Sequence, residues 1–120
     1  MAYELRMGDN GILHIVHSGD VKKEEVEVFL EDLVLFLEAA TGAKPLLVLA
    51  NNKQTGKLSV KARKTLVGLS RDPRLGKMAI LGSGRYMRVM VSFVNKAVGR
   101  GNIRFFDVEK KALAWLKAGR

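Results

Sequence analysis

The sequence contains two histidines and no cysteine, which narrows its chemistry before any element is assigned. Without thiols there is no disulfide, no thiolate zinc site and no cysteine nucleophile. The same absence fits a reducing compartment, and a cytoplasmic location is the expectation. His14 and His17 stand three apart in a segment that reads as a strand. Their side chains therefore leave opposite faces and cannot meet at one metal ion. Glu24, Glu25, Glu27, Glu31 and Asp32 form an acidic helix face. That pattern is either solvated charge or a surface for a basic partner, including the basic part of another copy. No nucleophile–base pair or metal set can be assembled, so neither an enzyme nor a cofactor is expected.

Phosphate chemistry is the next candidate. Thr55-Gly56-Lys57 has the tail of a P-loop, but that motif needs glycine where Asn51 stands and serine or threonine where Leu58 stands. Gly82-Ser83-Gly84 is too short for a dinucleotide fingerprint, because residues 85–87 supply no third glycine. Nucleotide hydrolysis is rejected on these grounds. An anion cradle without catalysis remains. Lys53, Lys57 and Arg85, small residues with open backbone N–H groups and two helix N-termini would converge at the carboxyl ends of a parallel sheet. Ordinary polar connecting loops have the same composition.

Charge supports an anionic partner without naming it. The net charge is +9, yet residues 1–40 hold nine acids and three bases. Residues 41–120 hold eighteen bases and three acids. Lys57, Lys61 and Lys64 fall on one side of a helix with Arg63 and Arg71 nearby, and Arg85 and Arg88 share a side of the next. Solubility alone is one explanation of such a surface; contact with nucleic acid, an acidic protein or an anionic membrane is the other. No exposed aromatic set and no helix-turn-helix pattern accompany it, so specific nucleic-acid readout is not expected. Peripheral membrane contact stays open. Tyr86, Met87, Met90 and Phe93 are the residues a lipid pocket would use, but at helical spacing they read first as core.

The elements that must position these residues follow from pattern. With 120 residues and 48% hydrophobic content, one domain over residues 1–120 with a real core is expected. Residues 3–7 and 12–17 read as strands joined by Gly8-Asp9-Asn10-Gly11, a hairpin signal. Ser18-Gly19-Asp20 reads as a strand break, with Asp20 capping a helix over residues 21–40. Val26, Leu30, Leu33 and Leu37 form its apolar stripe, and Gly42 ends it. The longest apolar stretch, residues 26–40, is broken by four acids and cannot cross a bilayer; residues 1–6 carry no secretory signal. Residues 45–50 are apolar throughout, as in a strand buried on both faces. A polar loop over 51–58 leads to Ser59, the N-cap of a helix to about residue 70 with Leu66, Val67 and Leu69 as its apolar side. Then come a strand at 77–81, a helix at 85–98 burying Tyr86, Met90, Phe93, Val94 and Ala97, and a strand at 103–106. Asp107 caps a last helix carrying Ala112, Trp115 and Leu116. This order predicts an α/β fold with a mostly parallel sheet of about five strands. Strands added one beside the next place the crossover helices on one face. The other face then needs a partner, a second subunit or a helix folded across it.

This pattern resembles the STAS family (sulphate transporter and anti-sigma-factor antagonist), in particular its small stand-alone SpoIIAA-like branch. The resemblance rests on Gly11-Ile12-Leu13, Ser18-Gly19-Asp20-Val21, Leu46 to Leu49, Ile80-Leu81-Gly82, and Arg104-Phe105-Phe106-Asp107 with Ala112-Leu113-Ala114-Trp115-Leu116. It implies a βα superhelix, a non-enzymatic role in protein–protein regulation and, in some relatives, a lipid or nucleotide ligand. It also implies a phosphorylatable residue at the helix after the central strand, where Thr55 and Ser59 stand by position. The acidic neighbour of that setting is replaced by Asn51 and Asn52. The expected contact set is Asn51, Asn52, Lys53, Thr55, Lys57, Ser59, Lys61, Ser83, Arg85 and Arg88. Its expected occupant is a protein partner, with a small anionic or lipid-like ligand as the alternative and a homodimer as a further expectation.

Overall fold

Turn chemistry starts the chain. The Asn10 side-chain oxygen accepts from the Ile12 amide at 3.1 Å, and the Gly8 amide donates to the Ile12 carbonyl at 2.9 Å. These bonds close an antiparallel hairpin of β1 (Ala2–Met7) and β2 (Ile12–Val21) in the computed structural model. The structure describes residues 2–40 and 44–118, apart from the side chains of Ala2, Val21 and Thr55. After the hairpin come α1 (Lys23–Ala39), β3 (Leu46–Leu58), α2 (Val60–Arg71) and β4 (Leu75–Leu81). The chain continues through α3 (Arg85–Val98), β5 (Ile103–Phe106) and α4 (Glu109–Lys117).

The five strands stand in chain order, β1-β2-β3-β4-β5, with only the first pair antiparallel. This is the expected α/β architecture. Alternation along the strands sends Leu13, Ile15, Val48, Ala50, Met78, Ile80 and Ile103 to one face. There they pack with Leu33 and Leu37 of α1 and with the buried side of α3. Ile12, Leu49, Ala79 and Leu81 point the other way and meet Ala112 and Leu116 of α4. The second apolar face is thus covered by a helix of the same chain, one of the three covers anticipated. Lys77 fixes the end of that helix: its ammonium donates to the Trp115 and Ala118 carbonyls at 2.9 and 3.0 Å and lies over the indole.

Several local expectations are corrected. Ser18-Gly19-Asp20 does not end β2, which runs on to Val21, and the polar stretch 51–58 is strand rather than loop. The two tails pair with each other, Ser18 with Gln54, Gly19 with Thr55 and Val21 with Leu58. A ladder pays no attention to side-chain polarity where its faces reach solvent, so the tails show no apolar alternation. Asp20 caps no helix; its carboxylate accepts from the Lys57 amide at 2.9 Å, and α1 begins after Lys22. Gly56 is what lets that carboxylate approach, since a Cβ there would stand 1.9 Å from Asp20 Oδ1. Asp107 caps nothing either; Val108 precedes α4 without a side-chain cap. The stop assigned to Gly42 lies outside the described residues.

The orientation of α3 is the largest correction. Its buried stripe is Met87, Met90, Val91 and Val94, while Tyr86, Phe93 and Ala97 are exposed. Both sets have helical spacing, so periodicity permits either rotation of the helix. Contact with β5 selects one of them. Asn95 donates to the Ile103 carbonyl, and the Arg88 guanidinium lies 4.7 Å from the Phe105 ring centre. Both residues thereby face the sheet edge, and Tyr86, Val89 and Phe93 turn outward.

Candidate functional site

The tail of β3, the start of α2 and the start of α3 meet at one corner. Ser59 places α2: its hydroxyl oxygen accepts from the Ala62 amide at 3.1 Å, the N-cap contact expected for serine there. Tyr86 places α3 against it, accepting from the Leu58 amide at 3.2 Å. The Ser83 hydroxyl lies 3.5 Å from the Lys53 carbonyl, joining the same two segments a little further out. Gly84 makes the turn into α3 at φ 81° and ψ −176°, a conformation that side chains with a Cβ avoid.

The structure thus brings Lys53, Lys57, Ser59, Ser83 and Arg85 of the sequence-derived set to one corner, together with the backbone of Thr55. The Thr55 side chain lies outside the described ones. Asn51 is bound into the sheet between Val16 and Leu81, its oxygen accepting from the Lys53 amide at 3.2 Å. Lys61 turns away to α1 and forms an ion pair with Glu27, which holds the Glu27 carboxyl below its usual range. Arg88 stands apart, over Phe105. The expectation that Arg85 and Arg88 share a side of α3 is therefore corrected: Arg85 faces α2 and Arg88 faces β5.

Two concave features border this corner. Outside, α2 and α3 enclose an open groove formed by two adjoining depressions of about 260 and 470 Å³. Val60, Val67, Val89 and Phe93 line it, and Arg63, Lys64 and Arg85 rim it. No acidic residue lines it, and none of the three bases has an ion pair among the described residues. Between α2 and the sheet lies a half-open cleft of about 80 Å³ walled by Ile15, Phe29, Leu66, Met78 and Met90. His17 and Asn52 are the polar residues in that wall with ring or amide groups. Asn52 Oδ1 is buried with no hydrogen-bond partner among the described residues. Burial pushes His17 down to about 4, because a charged imidazole would be desolvated beside Phe29, whose ring centre is 5.0 Å away.

Sequence reasoning found the polar members of this corner and missed the apolar ones. Helical spacing assigns Tyr86 and Phe93 to the core and gives no expectation for Val60 and Val89, whereas all four are exposed. The usable signal was the double apolar face of α3, since one of the two faces had to lie outside. Strand alternation reads His17 as ordinary strand polarity; the structure places it in the wall of the cleft, on the face opposite to His14.

The sequence matches the SpoIIAA-like family model over residues 12–117. No curated protein matches it. Among solved structures, an uncharacterized protein of the DUF3478 family with a SpoIIAA-like fold, from Shewanella loihica PV-4, superposes with a TM-score of 0.71 at 21% identity. That alignment covers 96% of this chain and 92% of the other. The anti-sigma factor antagonist SpoIIAA in its unphosphorylated form also superposes with a TM-score of 0.71, at 17% identity, over 98% of this chain and 99% of its own. At these identities the likeness is one of fold.

Proposed function

The chain belongs to the SpoIIAA-like family, and from that premise we propose that it is a non-enzymatic regulatory module that binds another protein through the corner of β3, α2 and α3. The observation that carries this reading is the exposed apolar surface there. Val60, Tyr86, Val89 and Phe93 are all exposed, and Arg63, Lys64 and Arg85 surround them. An apolar centre with a charged rim is the anatomy of a protein interface. The matched anti-sigma factor antagonist is a regulator by its name, which agrees with such a role. Ser59 is the natural control point. A phosphate on its hydroxyl would sit at the N-terminus of α2, where backbone N–H groups and the helix dipole favour negative charge. Thr55 is the second candidate by position. In this reading the protein acts in the cytoplasm, without a cofactor, and no helix of the described residues is long and apolar enough to cross a membrane.

Affinity capture from the native cell tests the proposal. Wild-type bait should retain a defined partner that both Ser59→Asp and Phe93→Glu baits release, while a bait altered on α4 (Lys110→Glu) keeps it. Equal retention by all four would remove the corner from the interaction.

A second reading, a carrier or sensor of a small ligand, is favoured by the cleft between α2 and the sheet. Its walls are mainly apolar, His17, Thr65 and Asn52 being the polar side chains in them, and Asn52 Oδ1 offers an unpaired acceptor. The matching molecule is small, lipid-like in character and carries one hydrogen-bond donor. Native mass spectrometry of protein taken directly from cells should show an added mass that Asn52→Leu loses. An unloaded wild-type spectrum counts against this reading.

A further inference from the structure

The outer side of α1 has a composition that the fold does not use. Val28 and Leu35 are seven residues apart, hence on one line of the helix, and are exposed at 54% and 66%. Neither can reach the core, because Val26, Leu33 and Leu37 on the opposite side are buried against it. Glu24, Glu31 and Asp32 flank the line, all exposed and none ion-paired among the described residues. Asp32 accepts a hydrogen bond from the Tyr3 hydroxyl at 2.6 Å. The result is a helix with two apolar anchors seven residues apart, edged by carboxylates. It is the inverse of the α2–α3 groove, where Val60, Val67, Val89 and Phe93 are edged by Arg63, Lys64 and Arg85.

We propose that these two surfaces bind each other between copies of this chain, the outer side of α1 in one copy lying in the α2–α3 groove of the other. Within one copy they cannot meet, since α1 is anchored by its buried side and α2 packs between α1 and α3. The groove takes a helix in the manner of an amphipathic segment read at i and i+7. Leu35 enters beside Phe93, Val28 follows one helical repeat away, and carboxylates face guanidinium and ammonium groups on both edges. Because α1, α2 and α3 all cover the same side of the sheet, a two-fold axis parallel to that layer makes the contact twice. The assembly then closes as a dimer in which each copy gives its α1 and receives its partner's. The acidic first third and the basic remainder of the sequence are the trace of this pairing in the composition. The inference deepens the proposed function in one respect only: it names a copy of the chain as an occupant of the groove, which a foreign partner would then have to displace.

The test uses purified protein alone, so its outcome is independent of whether a foreign partner is captured from cells. Sedimentation equilibrium of wild type over a wide concentration range should give a dimer that weakens as salt is raised. Leu35→Arg and Phe93→Glu change residues exposed at 66% and 65%, so circular dichroism of each should match the wild-type spectrum. Each alone should have half the wild-type mass. Mixed in equal amounts they should recover the dimer mass as a one-to-one heterodimer, since one intact helix meets one intact groove and the other contact sets Arg against Glu. A wild type that is monomeric at every concentration overturns the proposal. So does a mixture that stays monomeric, or a dimer indifferent to Leu35→Arg.

Discussion

His17 is buried in the wall of the cleft between α2 and the sheet, and it makes folding stability depend on pH. Its folded value near 4 lies below its ordinary 6.5. The unfolded chain therefore binds a proton in the interval between these values that the folded chain refuses. Stability contributed in this way is full above about pH 6.5 and falls as the pH drops toward 4. The loss approaches about 3 kcal/mol at the lower end, by about 1.4 kcal/mol per pH unit. Urea titrations at pH 7 and pH 4.5 should show a drop in wild type that is much smaller in His17→Leu, whose remaining slope belongs to the carboxylates. The second residue-scale feature is the knot at the end of α2. Ser70 donates to Asn102 Oδ1 at 2.9 Å, and the Asn102 amide returns a bond to the Ser70 carbonyl at 3.2 Å. Arg100 donates to the Ser70, Asp72 and Leu75 carbonyls. Ser70 and Asn102 are both buried, so Asn102→Ala leaves buried polar atoms unpaired and should cost about 1–3 kcal/mol in chemical denaturation.

At the scale of elements, the corner depends on how α2 and α3 are started. Ser59 supplies the N-cap of α2, and Ser59→Ala should lower stability by about 1 kcal/mol. A melting temperature that did not move would show the cap to be dispensable. Ser59→Asp keeps an accepting oxygen at that position and should hold the melting temperature while adding charge to the site. This separates loss of partner binding from loss of the helix. The β2–β3 ribbon is the other controlling element, because it carries Lys53 and Lys57 outward while its bonds keep the two strands in register. Gly56→Val would drive a side chain into Asp20 and break the carboxylate's bond to the Lys57 amide. Amide exchange across residues 53–58 should accelerate in that variant, with the exchange of β4 unchanged.

For the whole molecule, the decisive feature is that one sheet has two different covers. Three crossover helices form the layer that carries the groove, and among the described residues α4 is the helix that covers the opposite face. Leu116 is almost wholly buried in that second cluster. Leu116→Ala should cost about 2–5 kcal/mol in denaturant unfolding through lost contacts and an unfilled space. It should leave partner binding at the corner intact in the folded protein, because the altered residue lies across the sheet. A binding loss at temperatures where the variant is still folded would contradict that separation of faces.

The sequence by itself determined the order of elements, the parallel sheet, the burial of Leu46, Val48 and Leu49 on the two faces of β3 and the capping role of Ser59. These rest on local periodicity and turn chemistry, which neighbouring residues largely settle among themselves. Only the tertiary structure decided that residues 51–58 are strand, that Asp20 serves β3 rather than a helix, and that α3 shows Tyr86 and Phe93 to solvent. Each of those outcomes turns on a partner far along the chain: β2 for the polar tail, Lys57 for Asp20, β5 for the rotation of α3. The basic members of the candidate corner were legible because charge shows in composition. Its apolar centre was not, because exposure belongs to the packed helix and periodicity alone gives both sides of it the same claim to the core.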